Sequence, residues 1–545
     1  MFKIYFFLPL LIPIALMKRD FSGGLINRIE RWGIRVAARP GRAIALVGIV
    51  SLILNVTLAL CTRIPVPQVG DEFGYLLLGD TFAHGRVTNP TPPLWQHFET
   101  LHEIVRPTYT GKYPPGQGLV LAVGEKLGQP IIGVWFATAL VCAIMCWMLM
   151  GWMAPRWALA GGLMVAFHPQ ILAWSQNYWG GTVAMGGGAL VLGAFRRMLR
   201  ECRVRDSLCM GVGLGILANS RPYEGFVLGL LTLMALLMWA IQAEDVPASI
   251  IFRRVFAPML VVLVLFGAQI AYYNWRVTGN PVQMPYMVHE DTYGIAPVFL
   301  FGTPRPEPTY LHADIRKFQE DCLAYFLSQR ASFGALARAI GTKMWTLGQA
   351  YLWSYLMVLP LLALPWSLAR DRWLWFALFM GLVFAITMMM STWVYPHYAA
   401  PAAALFFVLV TQSMRRLHAW HIGTWRVGRN LVRGLAVLCV VSFFVVEGKV
   451  AAKDDRPSWY FLRQTMLKKL QALPQKSLVI VRYSKDHNPN REWVYNEANI
   501  LGSKVILARD MGVENKELLD YFPDRKAWMV DADAADPQPE PITGS

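Results

Sequence analysis

The feature that most constrains this chain is a set of long runs without charge, of which residues 130 to 153, PIIGVWFATALVCAIMCWMLMGWM, are the clearest. About 20 apolar residues in a helix cover a hydrocarbon core of about 30 Å. Read as spans, such runs give eleven crossings, near residues 43–61, 130–153, 157–173, 181–195, 207–219, 225–242, 255–273, 344–366, 373–391, 398–414 and 431–448. An earlier run, MFKIYFFLPLLIPIALMKRD, lacks a small-residue cleavage site and carries its strongest charge on the far side. It reads as a twelfth span, an interfacial helix or a misannotated start. Composition agrees, with 16% charged residues against about 25% in soluble domains. The expected fold class is an all-α polytopic membrane protein of about 11 to 12 transmembrane helices with a small C-terminal α/β domain.

The formal net charge of +16 does not point to nucleic acid, because the basic residues sit in short segments between the apolar runs. Lys18, Arg19, Arg28, Arg31, Arg35, Arg39 and Arg42 precede the first crossing, and Arg196, Arg197, Arg200, Arg203 and Arg205 follow the fourth. The positive-inside rule makes these segments cytoplasmic. The expected organisation is then an N-terminal apolar segment and basic linker (1–42), a transmembrane domain (43–450) and an extracytoplasmic domain with a disordered tail (451–545). Two long outer loops, 62–129 and 274–343, belong to the middle part. Strand-like pieces SLVIVRY, KVILA and KAWMVD mark the last part as α/β. The seven cysteines offer neither a disulfide framework nor zinc spacing.

The spans are almost free of ionisable residues, so any chemistry belongs to the outer loops. In VGDEFGYLLLGD the adjacent Asp71 and Glu72 open an interfacial helix. Asp71 either caps that helix or acts as a partly desolvated general base. In GKYPPGQG, Lys112 precedes Tyr113 and a rigid Pro-Pro-Gly turn; it suits a phosphate or snorkels toward headgroups. NSRPYEG sets Arg221, Tyr223 and Glu224 in a short turn, and STWVYPHYAAP sets Tyr395, His397 and Tyr398 at the mouth of a hairpin. His289, Glu290 and Asp291 are adjacent in the second long loop and do not by themselves make a metal site. Walker, HExxH and GxSxG motifs are missing, which removes support for nucleotide hydrolysis, zinc proteolysis and serine esterase chemistry.

The order of these motifs resembles the GT-C glycosyltransferases over residues 40 to 415. Within them it looks most like the branch of protein O-mannosyltransferases, lipid A aminoarabinose transferases and Rgt-type sugar transferases. The resemblance implies a polyprenyl-phosphate sugar donor, an envelope acceptor (lipid, polysaccharide or protein) and a site on the outer face of a bacterial inner membrane. By motif position, Asp71 would be the catalytic carboxylate with Glu72 beside it. Lys112, Arg221 and His397 would bind the donor phosphate. Tyr113, Asn177, Tyr223, Glu224, His289, Glu290, Tyr395 and Tyr398 would line the substrate cavity. Where many relatives carry a further acid, the sequence reads WSQNYWGG, with only Gln176 and Asn177. No cofactor is firmly implied, although there is room for a divalent cation. The expected partners are donor, acceptor and bilayer, and not nucleic acid. A transporter or flippase of a lipid-linked glycan is the alternative, and it would need a polar path at mid-membrane. A non-catalytic assembly protein docking through its tail is a third reading.

Overall fold

A computed structural model describes residues 9, 11–15, 17, 21, 23–353, 355–451 and 458–542. Most of the first apolar run, the start of the C-terminal segment (452–457) and the last three residues lie outside the described residues. The protein is predominantly helical, and six described helices are long and apolar enough to cross a membrane: Pro40–Cys61, Pro130–Trp152, Pro222–Gln242, Ala248–Thr278, Arg372–Met389 and Val427–Val445. This is a multi-pass membrane protein.

The other five runs are helical but shorter, interrupted or, as in Gly181–Met198, less apolar. Residues 157–173 break into Pro155–Ala166 and Pro169–Ser175, because a proline inside a helix removes a backbone donor and clashes with the preceding turn. The 344–366 run ends its helix at Tyr351 and continues in the short pieces Val358–Leu361 and Leu364–Leu368. Between them Trp353 and Tyr355 adopt positive φ. Proline recurs at helix starts, at Pro40, Pro115, Pro130 and Pro222, where its missing N–H costs nothing. The described part of the first apolar run, Leu11–Ala15, packs against Val427, Leu431 and Val432.

The first long loop is built on the helix Gly70–Ala83, which lies against the helix Pro115–Lys126. Between them a two-stranded antiparallel hairpin, β1 (Glu103–Ile104) and β2 (Thr110–Gly111), returns the chain so that Lys112 and Tyr113 come back beside Asp71. This return needs a glycine: a Cβ on Gly111 would stand 2.1 Å from the Gly74 carbonyl oxygen, so the strand lies directly on the helix backbone. Gly116 does the same for the Pro-Pro-Gly turn. Its N–H donates to the Asn219 carbonyl at 2.8 Å, and a Cβ there would meet that oxygen at 2.6 Å. That contact draws the Lys112 loop toward Arg221, two residues beyond Asn219.

The C-terminal segment forms a four-stranded sheet in the order β4 (Val505–Arg509), β3 (Ser477–Arg482), β5 (Lys526–Asp531), β6 (Glu540–Pro541). β3 pairs in parallel with β4 and β5, and β6 closes the edge antiparallel to β5. The last strand uses residues that composition alone reads as disordered; pairing with β5 holds them, and Asp533 accepts from His487 at 2.8 Å. The sheet does not stand apart from the loops. Leu478, Ile480, Ile506 and Phe522 share one apolar core with Leu77, Phe98, Val105 and Tyr109 of the first long loop.

Candidate active site

Asp71 stands in the first turn of the Gly70–Ala83 helix. One carboxylate oxygen accepts the Tyr113 hydroxyl proton at 2.5 Å, and the other lies 3.9 Å from His102 Nε2. The side chain is nevertheless 44% exposed, so its outer face stays open. Burial works against its charge, but His102, the Tyr113 hydrogen bond, Lys112 and Arg221 outweigh it and hold the carboxyl below its ordinary value. Lys112 precedes Tyr113 in the chain, and its charge and that of Arg221 both act on the Asp71 carboxyl.

Glu72 points the other way. It is 3% exposed, and its carboxylate accepts from the backbone N–H groups of Gln68 (2.7 Å), Val69 (3.4 Å) and Tyr178 (3.0 Å). Three backbone donors leave it little capacity for substrate. It ties the helix start to the WSQNYWGG turn.

Lys112 is buried, 3.7 Å from Glu290, with the ring of Tyr286 5.1 Å from its ammonium. Glu290 also meets His289 Nδ1 at 3.3 Å, while His289 Nε2 is buried with no protein partner among the described residues. Arg221 stands before the Pro222–Gln242 helix with its guanidinium 4.1 Å from the Tyr398 ring centre. His397 packs edge-on against Trp179 at 4.3 Å and lies near Tyr395. Burial first, and then the Arg221 charge, hold its imidazole neutral. Tyr395 and Tyr398 both feel the Asp71 charge, and Glu224 lies beside Arg221.

Two of the residues named from sequence stay outside this group. Asn177 spends its amide on its own turn, donating to the Ala173 carbonyl and accepting from the Trp179 N–H. Tyr223 donates to the Thr387 carbonyl and packs on Phe299. Conversely, His102 and Tyr286 carry no motif and were not legible in advance. His102 has a backbone φ of +65°, in the left-handed region that a non-glycine residue rarely occupies. Its Nδ1 lies 3.2 Å from the Tyr113 oxygen.

Burial is the first cause that lowers His102, to about 3, and His289, to about 4; the Lys112 charge adds to both. Burial pushes the Glu290 carboxyl upward, but the His289 hydrogen bond and Lys112 outweigh it and bring it to about 2. The unfolded chain protonates histidine near its ordinary pKa of about 6.5. Between that value and about 3 to 4 the unfolded state therefore binds more protons, and stability falls as pH falls through this window. Below about 4.5, Glu290 adds to the loss in the same direction. Thermal unfolding measured from pH 7 to pH 4 should show a falling Tm, and the slope should flatten in His102→Gln, His289→Gln.

A donor set suited to a divalent ion lies elsewhere: Asp80, His84 and Glu125 each offer an atom within 4.8 Å of the others. Carboxylate and imidazole suit such an ion. Asp80 is nine residues beyond Asp71 on the same helix, about 14 Å along its axis.

No family model matches the sequence, and no curated protein matches it by sequence. The fold does have solved relatives. The Archaeoglobus fulgidus oligosaccharyltransferase, tethered with an acceptor peptide containing the NVT sequon, is similar at 11% identity and a TM-score of 0.50, over 92% of this chain and 69% of that one. Its apo form is similar at the same identity and TM-score, over 90% and 69%. The chain has the GT-C fold. ArnT from Cupriavidus metallidurans bound to undecaprenyl phosphate is similar at 13% identity and a TM-score of 0.49, over 90% of this chain and 92% of that one. At these identities the likeness is one of fold, so on this GT-C frame the chemistry is argued from the chain's own residues.

Proposed function

We propose that the protein is an inverting glycosyltransferase that moves a sugar from a polyprenyl-phosphate donor to an envelope acceptor, at the face formed by its two long loops. The observation that carries this reading is a half-exposed Asp71 carboxylate bonded to Tyr113, the neighbour of Lys112, and acted on by the charges of Lys112 and Arg221. In the reaction the bond between the anomeric carbon and the donor phosphate oxygen breaks, and a bond from the acceptor oxygen to that carbon forms. The polyprenyl phosphate leaves with the electron pair. Lys112 and Arg221 are placed to stabilise that growing negative charge, which is where catalytic binding counts. Attack opposite the leaving group inverts the anomeric centre and requires no covalent enzyme intermediate.

The acceptor proton goes to Asp71, and His102 supports that step. The Tyr113 hydroxyl has one proton, which the 2.5 Å contact gives to Asp71. His102 Nδ1–H then donates to the Tyr113 oxygen, leaving Nε2 as an acceptor that faces the free carboxylate oxygen across 3.9 Å. An acceptor hydroxyl has one proton, which it donates to the free Asp71 oxygen, and His102 acts by orienting Tyr113. Glu72 positions the helix that carries Asp71. The loop face is read as extracytoplasmic because Arg196 to Arg205 mark the opposite end. The bacterial inner membrane is read from the order of the sequence motifs alone, and Asp80, His84 and Glu125 are the place where a divalent ion would fit.

Binding of a polyprenyl phosphate without sugar tests the cation role. Lys112→Met should weaken it about 10-fold or more, the range expected for a lost charge-assisted contact, while Lys112→Arg should recover part of the loss. Equal binding by wild type and Lys112→Met would take Lys112 out of the phosphate site.

A further inference from the structure

The helix Gly23–Ala37 lies at the far end of the Pro40–Cys61 span from Asp71, and its sequence sorts onto three faces. One face is held by the protein. Glu30 accepts from Arg433 Nη2 at 2.7 Å and from Arg429 Nη2 at 3.1 Å, and Ala37 is 2% exposed. The second face is apolar and uncovered. Leu25, Ile29 and Trp32 recur at spacings of four and three, the period of one helix side, and are 66%, 55% and 47% exposed. The third face is basic: Arg28, Arg31 and Arg35 are all exposed, and Arg39 and Arg42 extend it. Among the described residues none of these five arginines pairs with a carboxylate. Arg31 and Arg35 reach only backbone carbonyls of their own helix, those of Asn27 and Arg31.

We propose that Gly23–Ala37 is an in-plane helix that binds anionic phospholipid at the face of the bilayer opposite the loop chamber. Three observations converge on a lipid. The helix ends three residues before a membrane span starts, which puts it at the boundary between water and hydrocarbon. Its apolar stripe is too exposed for water and ends in a tryptophan, the ring that settles at that boundary. The arginines, which have no carboxylate partner among the described residues, flank the stripe on the side away from Glu30. A neutral membrane satisfies the stripe alone; only an anionic headgroup also satisfies the guanidinium groups. Near an anionic surface each basic residue is worth about fivefold in affinity. The binding is independent of sugar transfer and stands or falls separately from it.

Hydrogen exchange of the full-length protein in two lipid nanodiscs tests this, one of phosphatidylcholine and one containing phosphatidylglycerol. Amides 24–36 should exchange about tenfold more slowly in the phosphatidylglycerol disc, with the rest of the chain unchanged. The variant Arg28→Gln, Arg31→Gln, Arg35→Gln should lose that difference while keeping wild-type exchange elsewhere. The variant Arg28→Lys, Arg31→Lys, Arg35→Lys should keep it. Equal exchange of residues 24–36 in the two discs overturns the proposal, as does a difference that survives the glutamine variant or disappears in the lysine variant.

Discussion

Asp71→Asn is expected to leave the protein folded and to slow sugar transfer at least about 10²-fold, the lower end of what a placed general base contributes. Asparagine has the same shape, and its amide oxygen still accepts the Tyr113 hydroxyl proton, so the 2.5 Å contact that orients the group is retained. What is lost is the negative charge at the exposed side of the group and the capacity to take a proton. Two consequences separate this loss from simple damage. Donor binding should hold or improve, because the replaced anion no longer repels a phosphate drawn to Lys112 and Arg221. Melting temperature should change little, because the side chain is 44% exposed. Near-normal turnover by this variant would remove Asp71 from the chemistry, and His102 would then be the base to examine.

Arg509→Met is expected to destabilise the protein by about 3–5 kcal/mol, the loss typical when one partner of a buried charge network is removed. Arg509 ends β4 and is 2% exposed. Its Nε donates to the Glu99 carbonyl at 2.5 Å, one Nη to Asp314 at 2.7 Å, and the other to Glu492. One side chain therefore fastens the C-terminal sheet to both long loops. Without it, Glu492 remains as a buried acid and Asp314 as a half-buried one, each without the cation that faces it. The loss should appear as earlier thermal unfolding and faster hydrogen exchange in residues 95–105 and 313–320 as well as in the sheet. Wild-type stability would show that the sheet is held by its apolar core alone. The same arrangement bears on truncation. Removing the C-terminal segment uncovers Phe98 and Tyr109, now 1% and 2% exposed, so loss of activity in a truncated chain reports collapse of the first loop and not a docking role for the tail.

What the sequence disclosed follows from the range of each signal. Helix positions were legible because hydrophobicity is local: every one of the eleven runs contains helix, and six of those helices are long and apolar enough to cross a membrane. Their integrity was less so, since proline and positive-φ positions cut 157–173 and 344–366 into pieces. The strands SLVIVRY, KVILA and KAWMVD were visible as short β-branched runs, whereas β6 was not, because an edge strand of two residues exists only through its partner. For the candidate site, Asp71, Lys112 and Arg221 stood out by residue type beside glycine and proline. Their convergence depends on contacts such as Gly111 on Gly74 and Gly116 on Asn219, which sequence spacing does not display. His102 had no signal at all: its place comes from a left-handed backbone turn and a phenol eleven residues away. Asn177 is the converse case, a polar residue in a suggestive motif whose hydrogen bonds among the described residues run to its own turn.

The most direct test of the account is to incubate the purified full-length protein with a panel of polyprenyl-phosphate sugars and an envelope extract, and to follow donor and free polyprenyl phosphate by mass spectrometry. The expected result is consumption of one donor with release of polyprenyl phosphate by the wild type, falling at least about 10²-fold in Asp71→Asn. Release that is indifferent to Asp71, or passage of intact lipid-linked sugar across the bilayer with no covalent product, would contradict it.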